Sequence, residues 1–328
     1  MAISLEDIRN AAKRIQGAAV ETPALQNAML NRHVGAEIIL KPENLQRTGS
    51  FKFRGAYNRL AQLTSEQKSA GVVAWSSGNH AQGISAAAEI LDVPATIIMP
   101  HDAPSVKIAK TKMYGAEVIG YDRYTESREE IGRRLSEERG AVLVPSYDDP
   151  HIIAGQGTTG LELAQQVKEL DATLDILLVC CGGGGLIAGM ASAFSYLSPS
   201  TKIYSVEPEG FDDHARSLAS GSREKNDPNA RSICDALLAP EPGALTFPVN
   251  SALLAGGLVV SDEEVKAAME FAFNYLKMVV EPGGAVALAA ALSSKLDIKG
   301  KLVGVVISGG NVDPTLFADV IQTSSSVG

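Results

Sequence analysis

The chain has 328 residues, of which 45% are hydrophobic and 20% charged, a balance typical of folded globular proteins and not of disordered or fibrous ones. This length suits one large domain or two ordinary ones. The formal charge of -9 at pH 7 repels phosphate backbones and anionic membranes, so neither nucleic acid nor a membrane is an expected partner.

The first predicted element is an amphipathic N-terminal helix. Ser4 is placed to cap it, and Asp7 is placed to complete a capping box. The segment begins with acids and lacks an apolar run, so we expect no targeting signal here.

A second helix is predicted just after Ser50, which is placed to cap it, so Lys52 falls in its first turn. The positive end of the helix dipole and the rings of Phe51 and Phe53 disfavour the ammonium form of this lysine. The sequence therefore predicts a lysine of lowered pKa that is suited to covalent bonding with a carbonyl compound. The alternative is a lysine stem packed on apolar surface with its head in water.

Further along, short β-branched runs alternate with helical patterns, which predicts parallel sheets covered by helices on both faces. Three predicted strands end in glycine-rich polar turns, SSGNH, GGGG and SGGN. Ligands of such sheets bind beyond the carboxyl ends of the strands, so we expect the three turns to face one cleft. The predicted strands are 71–75, 95–100, 116–121, 141–146, 175–181, 202–208 and 301–308.

The four consecutive glycines Gly182 to Gly185 stand between a predicted strand and a predicted helix. Backbone N–H groups in such a turn point at one spot beside a helix N-terminus, which predicts a phosphate site. The same glycines rule out a membrane helix over the uncharged stretch 176–201, because each would cost about 1 kcal/mol within a helix. A nicotinamide dehydrogenase remains open, since G-x-G-x-x-A ends at Ala188 and Glu207 follows the next strand as a ribose-binding acid.

Cys180, Cys181 and Cys234 have no C-x-x-C spacing, so neither a disulfide framework nor a zinc site is predicted, and a reducing cytoplasm is the expected compartment. Four histidines have no partner spacing and are interpreted as structural or exposed: His33, His101, His151 and His214.

Four separated motifs, SFKFRGAYN, SSGNHAQG, CGGGGLIAG and SGGN, occur in this order over nearly the whole chain, together with PSYDDPHIIAGQGTTG. They resemble the fold-type II pyridoxal phosphate enzymes, specifically the serine/threonine dehydratase and serine racemase group. The resemblance implies an α/β, tryptophan synthase beta-like fold of two open, twisted, mostly parallel sheets flanked by helices. The charged segment 122–139, followed by PSYDDP, indicates the edge of a smaller inserted unit, so we expect a large cofactor-binding domain (1–65 plus 146–328) and a small substrate-side domain (66–145).

The resemblance also assigns residues to the cofactor pyridoxal 5'-phosphate. Lys52 matches the lysine that binds it covalently, and Phe51 matches the residue stacked beside its ring. Ser308, the partner of the pyridine nitrogen, is a neutral hydroxyl, which favours elimination over transamination. The other cofactor residues implied are Asn79, Glu281, Gly182, Gly183, Gly184 and Gly185.

Substrate contacts and a second cofactor are implied in the same way. The substrate-binding residues are Ser76, Ser77, Asn79, His80 and Arg128, with Ser77 as a second acid/base on the side opposite Lys52. A divalent cation, Mg²⁺ or Ca²⁺, is implied at Glu207, Asp213 and the backbone carbonyl of Phe211. A surface ion pair remains the alternative for Arg128, a solvated acid for Glu207, and a helix-end acid for Glu281.

The activity implied is elimination of water and then ammonia from a β-hydroxy amino acid, L-threonine or L-serine first, by a homodimer. Serine racemase and 3-hydroxyaspartate dehydratase are the close alternatives; segment 234–248 aligns only loosely with the racemases, which puts serine in doubt. An added substrate carboxylate would call for a cation near Arg123 or Arg128. A nicotinamide dehydrogenase and a non-catalytic amino-acid sensor are the alternatives of different class.

Overall fold

A computed structural model describes residues 3–103 and 105–324, which form two parallel sheets with helices around them. The strands are β1 (Glu37–Pro42), β2 (Val72–Trp75), β3 (Ala95–Pro100), β4 (Glu117–Tyr121), β5 (Val142–Leu143), β6 (Ile176–Cys180), β7 (Lys202–Pro208), β8 (Gly256–Val260) and β9 (Leu302–Ile307). One sheet has the order β1-β9-β6-β7-β8 and the other β4-β3-β2-β5. All the pairings within both sheets are parallel, so the predicted fold class is confirmed.

The helices between the strands are α1 (Leu5–Ile15), α2 (Ala28–Val34), α3 (Lys52–Leu60), α4 (Ser65–Ala70), α5 (Asn79–Leu91), α6 (Ser105–Met113), α7 (Arg128–Arg139), α8 (Pro150–Glu169), α9 (Gly185–Leu197), α10 (Asp213–Ser220), α11 (Thr246–Leu253), α12 (Asp262–Phe271), α13 (Pro282–Leu292) and α14 (Pro314–Ser324). Ser4 caps α1 and forms a capping box with Asp7, as predicted. Within the described ranges, no helix is both long and apolar enough to cross a bilayer.

All seven predicted strands are present, but β5 is much shorter than predicted. The two strands that the sequence did not predict are β1 and β8. The first carries the charged residues Glu37 and Lys41, and the second begins with two glycines, so neither has the pattern of a buried strand. Sheet pairing with β9 and β7 overrides this weak local preference.

Each sheet has its own apolar core. The larger core surrounds the five-stranded sheet and includes α13, whose alanine-rich surface is buried all round. The second core joins β2 and β3 to α3 and α5. The four-stranded sheet uses only residues between Val72 and Leu143, while the division into the two domains predicted above stays a prediction.

Two cations and two carboxylates lie together in the interior near the start of α3; we call Lys41, Glu43, Arg54 and Glu162 the Arg54 cluster. Arg54 donates to both oxygens of Glu43 at 2.7 and 2.8 Å, and to both oxygens of Glu162 at 2.5 and 2.7 Å. Lys41 donates to Glu162 at 2.8 Å and to the carbonyl of Thr22 at 2.6 Å. The charges balance, so every buried ion has partners that offset its desolvation.

Candidate active site

The three glycine-rich turns share one cavity of about 480 Å³, beyond the carboxyl ends of β2, β6 and β9. This is where ligands bind in open parallel sheets. The cavity wall includes every residue predicted to bind cofactor or substrate: Phe51, Lys52, Ser76, Ser77, Asn79, His80, Arg128, Gly182, Gly183, Gly184, Gly185, Glu281 and Ser308. The residues predicted for a metal are not part of this wall.

The tetraglycine turn joins β6 to the first turn of α9. Gly184 has φ +90°, a left-handed conformation that favours glycine. A side chain on Gly183 would overlap the ring of Tyr147. The turn thus keeps backbone N–H groups accessible at a helix N-terminus, and these can bind a phosphate.

Lys52 is the first residue of α3, and its Nζ donates to the backbone carbonyl of Ser146 at 2.7 Å. Burial lowers the pKa of Lys52 to about 8, against the opposing effects of Cys180 and Glu281. The predicted lowering is confirmed, and at neutral pH an appreciable fraction of the amine is uncharged, as a nucleophile requires.

Two expectations about the surroundings of Lys52 were wrong, namely the cap at Ser50 and the effect of the phenylalanine rings. Ser50 does not cap α3, because its backbone pairs with Gly309, and its buried Oγ has no hydrogen-bond partner among the described residues. Phe53 is buried in the core beside β2 and β3. The ring of Phe51 lies 5.2 Å from Lys52 Nζ, a contact that favours the cation. Desolvation is therefore the main cause.

Asn79 connects two of the turns. Its Nδ2 donates to Glu281 Oε1 at 2.5 Å, and its Oδ1 accepts from Asn311 at 2.8 Å. Burial, reinforced by the charge of Asp235, raises the pKa of Glu281 to about 7. A side chain at Gly309 would overlap this carboxyl group, so the glycine of the SGGN turn makes room for it.

Ser308 follows β9 and is buried near Cys180, where its hydroxyl opposes the rise in the pKa of the Cys180 thiol. Burial raises the pKa of Cys180 to about 11, so this residue stays a thiol and does not act as a nucleophile. The neutral hydroxyl of Ser308 can meet a pyridine nitrogen, as the sequence predicts.

The SSGNH turn brings the N-terminus of α5 to the cavity. Its first N–H groups, with the hydroxyls of Ser76 and Ser77, suit a carboxylate. His80 Nε2 lies 3.1 Å from the carbonyl of Val144, and burial together with the charge of Lys52 lowers the pKa of His80 to about 3. His80 is therefore neutral, donates through Nε2, and cannot offer a charged group to the substrate.

Two cationic side chains on the cavity wall come from the helices beside the four-stranded sheet. Arg128, at the start of α7, donates through Nε to Glu129 at 2.8 Å. Lys107, on α6, forms an ion pair with Asp235, and both residues line the cavity. Of the residues that the structure describes, only Glu129 hydrogen-bonds Arg128, so its two terminal amino groups can bind a carboxylate.

The loosely aligned segment 234–248 is fixed to the glycine turn. Thr246 Oγ1 donates to the carbonyl of Gly183 at 2.6 Å, and Asp148 accepts from the N–H of Leu245 at 2.8 Å. Arg223 Nε donates to the carbonyl of Pro242 at 2.8 Å. Pro240 and Pro242 of this segment thus border the cavity.

The residues predicted for a metal form a separate buried cluster, at the end of β7 and the start of α10. Glu207 accepts the backbone N–H groups of His214 and Ala215 at 2.8 and 2.7 Å. Asp213 Oδ1 accepts from Asn226 at 2.6 Å, whereas its buried Oδ2 has no hydrogen-bond partner in the described ranges. Phe211, which lies between Glu207 and Asp213 in the sequence, is also buried.

Cys181 and His214 complete this cluster, and we call Cys181, Glu207, Asp213 and His214 the Glu207 cluster. Burial and the nearby Asp213 raise the pKa of Glu207 well above its usual range. Burial, with the charges of Glu207 and Asp213, likewise raises the pKa of the Cys181 thiol. Two acids thus share one interior site without a cation from the described part of the chain. A divalent cation fits them.

Sequence reasoning missed several site residues. Tyr147 and the backbone carbonyl of Ser146 come after β5 and line the cavity, but the sequence pattern predicted a strand up to residue 146 and no role for either group. Asn311 belongs to the SGGN turn already singled out and could have been found there. His214, interpreted as structural or exposed, is fully buried next to Asp213, and this adjacency to an acid was the signal available.

The position of Glu207 also tests the alternative of a nicotinamide dehydrogenase. Both oxygens of Glu207 are engaged with the backbone of α10, and the side chain is buried outside the cavity, so it cannot bind a ribose there. In contrast, the glycine cradle, the amine of Lys52 and the hydroxyl of Ser308 line one cavity and fit the phosphate, aldehyde and pyridine nitrogen of pyridoxal phosphate.

Comparisons with known proteins agree. A family described as "Pyridoxal-phosphate dependent enzyme" matches residues 15–309. The L-threo-3-hydroxyaspartate ammonia-lyase of a Pseudomonas species is 47% identical over 97% of this chain and 98% of its own. The serine racemase of Schizosaccharomyces pombe is 44% identical over 97% of each chain. The structure of maize serine racemase superposes with a TM-score of 0.91 at 38% identity, covering 99% of both chains.

Proposed function

The chain belongs to the pyridoxal-phosphate dependent enzyme family, and from this premise we propose that it is an ammonia-lyase that converts L-threo-3-hydroxyaspartate to oxaloacetate and ammonia. The observation that carries the proposal is Arg128 on the wall of the Lys52 cavity, with two terminal amino groups that have no hydrogen-bond partner among the described residues. The 47% identity to an enzyme of that name supports it. This favours the alternative considered above over L-threonine or L-serine.

Lys52, the glycine turn and Ser308 would hold the cofactor. When bound, pyridoxal phosphate supplies an aldehyde for the substrate amine and a ring that withdraws electrons from the α-carbon. Lys52, with its pKa lowered to about 8, can take up the α-proton as a general base. The N-terminus of α5 would bind the α-carboxylate, which leaves the β-carboxylate to Arg128.

A cofactor test separates this proposal from enzymes of other classes. The purified protein is expected to be yellow, and borohydride should bleach it and leave the cofactor attached to Lys52. The Lys52→Ala variant serves as the control. A colourless protein that binds NAD would favour the dehydrogenase, and a yellow protein inert towards every hydroxy amino acid would favour the sensor.

A substrate panel tests the choice of substrate. L- and D-serine, L-threonine and the four 3-hydroxyaspartate isomers would be compared, with keto acid and product chirality both measured. Arg128→Gln should lower kcat/KM for L-threo-3-hydroxyaspartate about 10- to 100-fold, because one charge-assisted hydrogen bond contributes about 1.5–3 kcal/mol. For L-serine the same variant should change kcat/KM less than about threefold. Equal losses on both substrates would contradict β-carboxylate binding by Arg128.

Serine racemisation is the second candidate, favoured by the hydroxyl of Ser77 in the cavity and by the 44% identity to a serine racemase. On this proposal Ser77 exchanges a proton at the face of the α-carbon opposite Lys52. Ser77→Ala should then suppress D-amino-acid formation more than keto-acid release. An equal loss of both would count against this role.

A divalent cation is proposed at Glu207, Asp213 and the carbonyl of Phe211, supported by the partnerless Asp213 Oδ2 in the interior. It would neutralise the buried acids and so brace the start of α10. Chelation should lower the thermal stability of the holoenzyme, and added divalent cation should restore it. No response to chelator would remove these residues from the site.

A cytoplasmic homodimer is also proposed. Exposed apolar side chains next to one another in the segment after α12 support the dimer: Phe273, Tyr275 and Val279. Tyr275 and Val279 lie against α2 and the segment after β1, through hydrogen bonds from Asn27 and Asn44. The three free, buried cysteines support a reducing compartment. Light scattering of the purified holoenzyme would test the dimer, and a monomeric mass would contradict it.

A further inference from the structure

We propose that His214 is a ligand in the cation site, so that this chain prefers a first-row transition ion such as Mn²⁺ or Zn²⁺ to Mg²⁺. The inference rests on the cation site proposed above and extends it from carboxylate and carbonyl oxygens to an imidazole nitrogen. Mg²⁺ and Ca²⁺ are hard ions that take oxygen ligands, whereas imidazole suits Zn²⁺ and other transition ions.

The first argument concerns the hydrogen bonding of His214 Nδ1. His214 is fully buried, and its Nδ1 has no hydrogen-bond partner among the described residues. It lies 3.7 Å from Asp213 Oδ2 and 3.8 Å from Glu207 Oε1. Both separations are too long for a hydrogen bond. Asp213 Oδ2 is also buried and has no hydrogen-bond partner among the described residues.

The second argument is the spacing of these atoms. Two ligands about 2.1 Å from one ion stand about 3.0–3.4 Å apart at octahedral to tetrahedral angles. The observed separations of 3.7 and 3.8 Å therefore need an inward shift of only a few tenths of an ångström, to about 3.4 Å. Ligand atoms of Cys181, Glu207 and His214 also lie within 4.8 Å of one another.

The third argument concerns the second ring nitrogen, Nε2. His214 Nε2 lies 3.0 Å from Asn250 Nδ2, while Asn250 Oδ1 is buried without a hydrogen-bond partner among the described residues. An imidazole that gives the Nδ1 lone pair to a cation carries its proton on Nε2. If the Asn250 amide is flipped, its Oδ1 accepts the proton on Nε2. An oxygen acceptor of this kind is the usual hydrogen-bond partner of a metal-bound histidine. Two polar atoms without partners, His214 Nδ1 and Asp213 Oδ2, are thus satisfied by one ion.

The imidazole ring of His214 also links the cation site to the glycine turn. A side chain built on Gly184 would lie 2.6 Å from both His214 Nε2 and Asn250 Nδ2, so these two residues pack directly against the turn. Fixing His214 by a metal bond would therefore stiffen the backbone that holds the cofactor phosphate. Cofactor affinity should therefore be higher when the site holds an ion, and highest with the ions that bind imidazole most strongly.

The test uses the holoenzyme, stripped of metal by chelation, with MgCl₂, MnCl₂ or ZnCl₂ added separately and binding followed by calorimetry and thermal shift. Mn²⁺ and Zn²⁺ should bind at least about 100-fold more tightly than Mg²⁺, following the ligand preferences of nitrogen donors. His214→Gln keeps a polar group towards Asn250 but removes Nδ1, so it should weaken Mn²⁺ and Zn²⁺ at least about tenfold. Its Mg²⁺ affinity should stay within about threefold.

Cys234→Ser provides a control outside the cluster. Cys234 is a free, buried cysteine like Cys181 but is not grouped with Glu207 and His214, so this variant should leave the Mn²⁺ to Mg²⁺ affinity ratio within about threefold. A wild-type measurement covers the case of a variant that fails to fold: spin-echo spectroscopy of bound Mn²⁺ should show an imidazole nitrogen in the coordination sphere.

Mg²⁺ binding as tight as Mn²⁺, or a Mn²⁺ spectrum without nitrogen, would overturn the proposal and leave an all-oxygen site. Absence of any divalent binding would overturn the cation site as a whole. Neither result would touch the proposed lyase activity, which the substrate panel measures independently.

Discussion

The Arg54 cluster and the Glu207 cluster are both buried and both rich in carboxylates, yet only the first is balanced. Arg54 and Lys41 face Glu43 and Glu162, with hydrogen bonds of 2.5 to 2.8 Å. The Glu207 cluster has two acids, and both Asp213 Oδ2 and His214 Nδ1 lack partners in the described ranges. A buried charge costs several kcal/mol unless it is paired. The difference therefore separates a structural ion network from a site at which we propose an added cation.

The largest expected effect comes from breaking the balanced cluster. Arg54→Met would leave the carboxylates of Glu43 and Glu162 without their guanidinium, and the free energy of unfolding should fall by about 3–5 kcal/mol. Urea denaturation of the apoprotein would measure this. Arg134→Met is the matched control, since its side chain is 66% exposed and only 3.9 Å from Glu138. A loss below about 1 kcal/mol for Arg54→Met would mean that the cluster is not structural.

Glu281 is intermediate between the two clusters in its pairing, because it accepts a hydrogen bond from Asn79 and feels the charge of Lys52 but forms no direct ion pair within the described residues. Burial raises its pKa from 4.5 to about 7, so the folded state holds the proton more tightly than the unfolded state. Stability should therefore be lost as pH rises from about 4.5 to about 7, by up to about 3 kcal/mol. Glu281→Gln should remove this loss and raise the melting temperature of the apoprotein at pH 8. A wild-type and variant pair with parallel pH profiles would contradict the shift.

Neutralising one acid in each cluster should give effects of opposite sign. Glu43→Gln takes a charged partner from Arg54 and should cost about 1–3 kcal/mol. Asp213→Asn keeps the oxygen that accepts from Asn226 and relieves repulsion with Glu207, so the metal-free protein should be unchanged or stabilised by about 1 kcal/mol. Asp213→Asn should also abolish the response to divalent cation. If both variants destabilised the metal-free protein equally, the contrast between the clusters would fail.

The smallest effect is expected on the surface. Lys266 and Glu263 form a pair at 2.7 Å, with exposed fractions of 38% and 80%. Lys266→Ala should change the free energy of unfolding by less than about 0.5 kcal/mol, because water screens exposed pairs. Thermal melts at low and high salt would check this, and a change above about 1 kcal/mol would show that exposure does not account for the difference between the clusters.

Many of the features that matter for function are local enough to be read from the chain. The strand, glycine turn and helix order around Gly182 to Gly185 depends on spacing within a few residues, and so does the placement of Lys52 at a helix start. The motifs also carried the family resemblance, and with it the expectation of the cofactor.

What failed was reasoning that needed a neighbour from elsewhere in the sequence. Ser50 was expected to cap α3, but its backbone pairs with Gly309, which is remote along the chain. Strands β1 and β8 were missed because their pairing with β9 and β7 outweighs a weak local pattern. Local propensity amounts to tenths of a kcal/mol per residue, so tertiary packing readily overrides it.

By itself, the sequence determined the alternating α/β order, the glycine turn between a strand and a helix, and the position of Lys52 at a helix start, since each depends on the spacing of nearby residues. Only the tertiary structure decided that His214 joins Glu207 and Asp213, and that Arg128 and Lys107 share a cavity with Lys52. The reason is that desolvation and charge pairing depend on which distant side chains meet in the interior, and sheet order and helix packing fix those meetings.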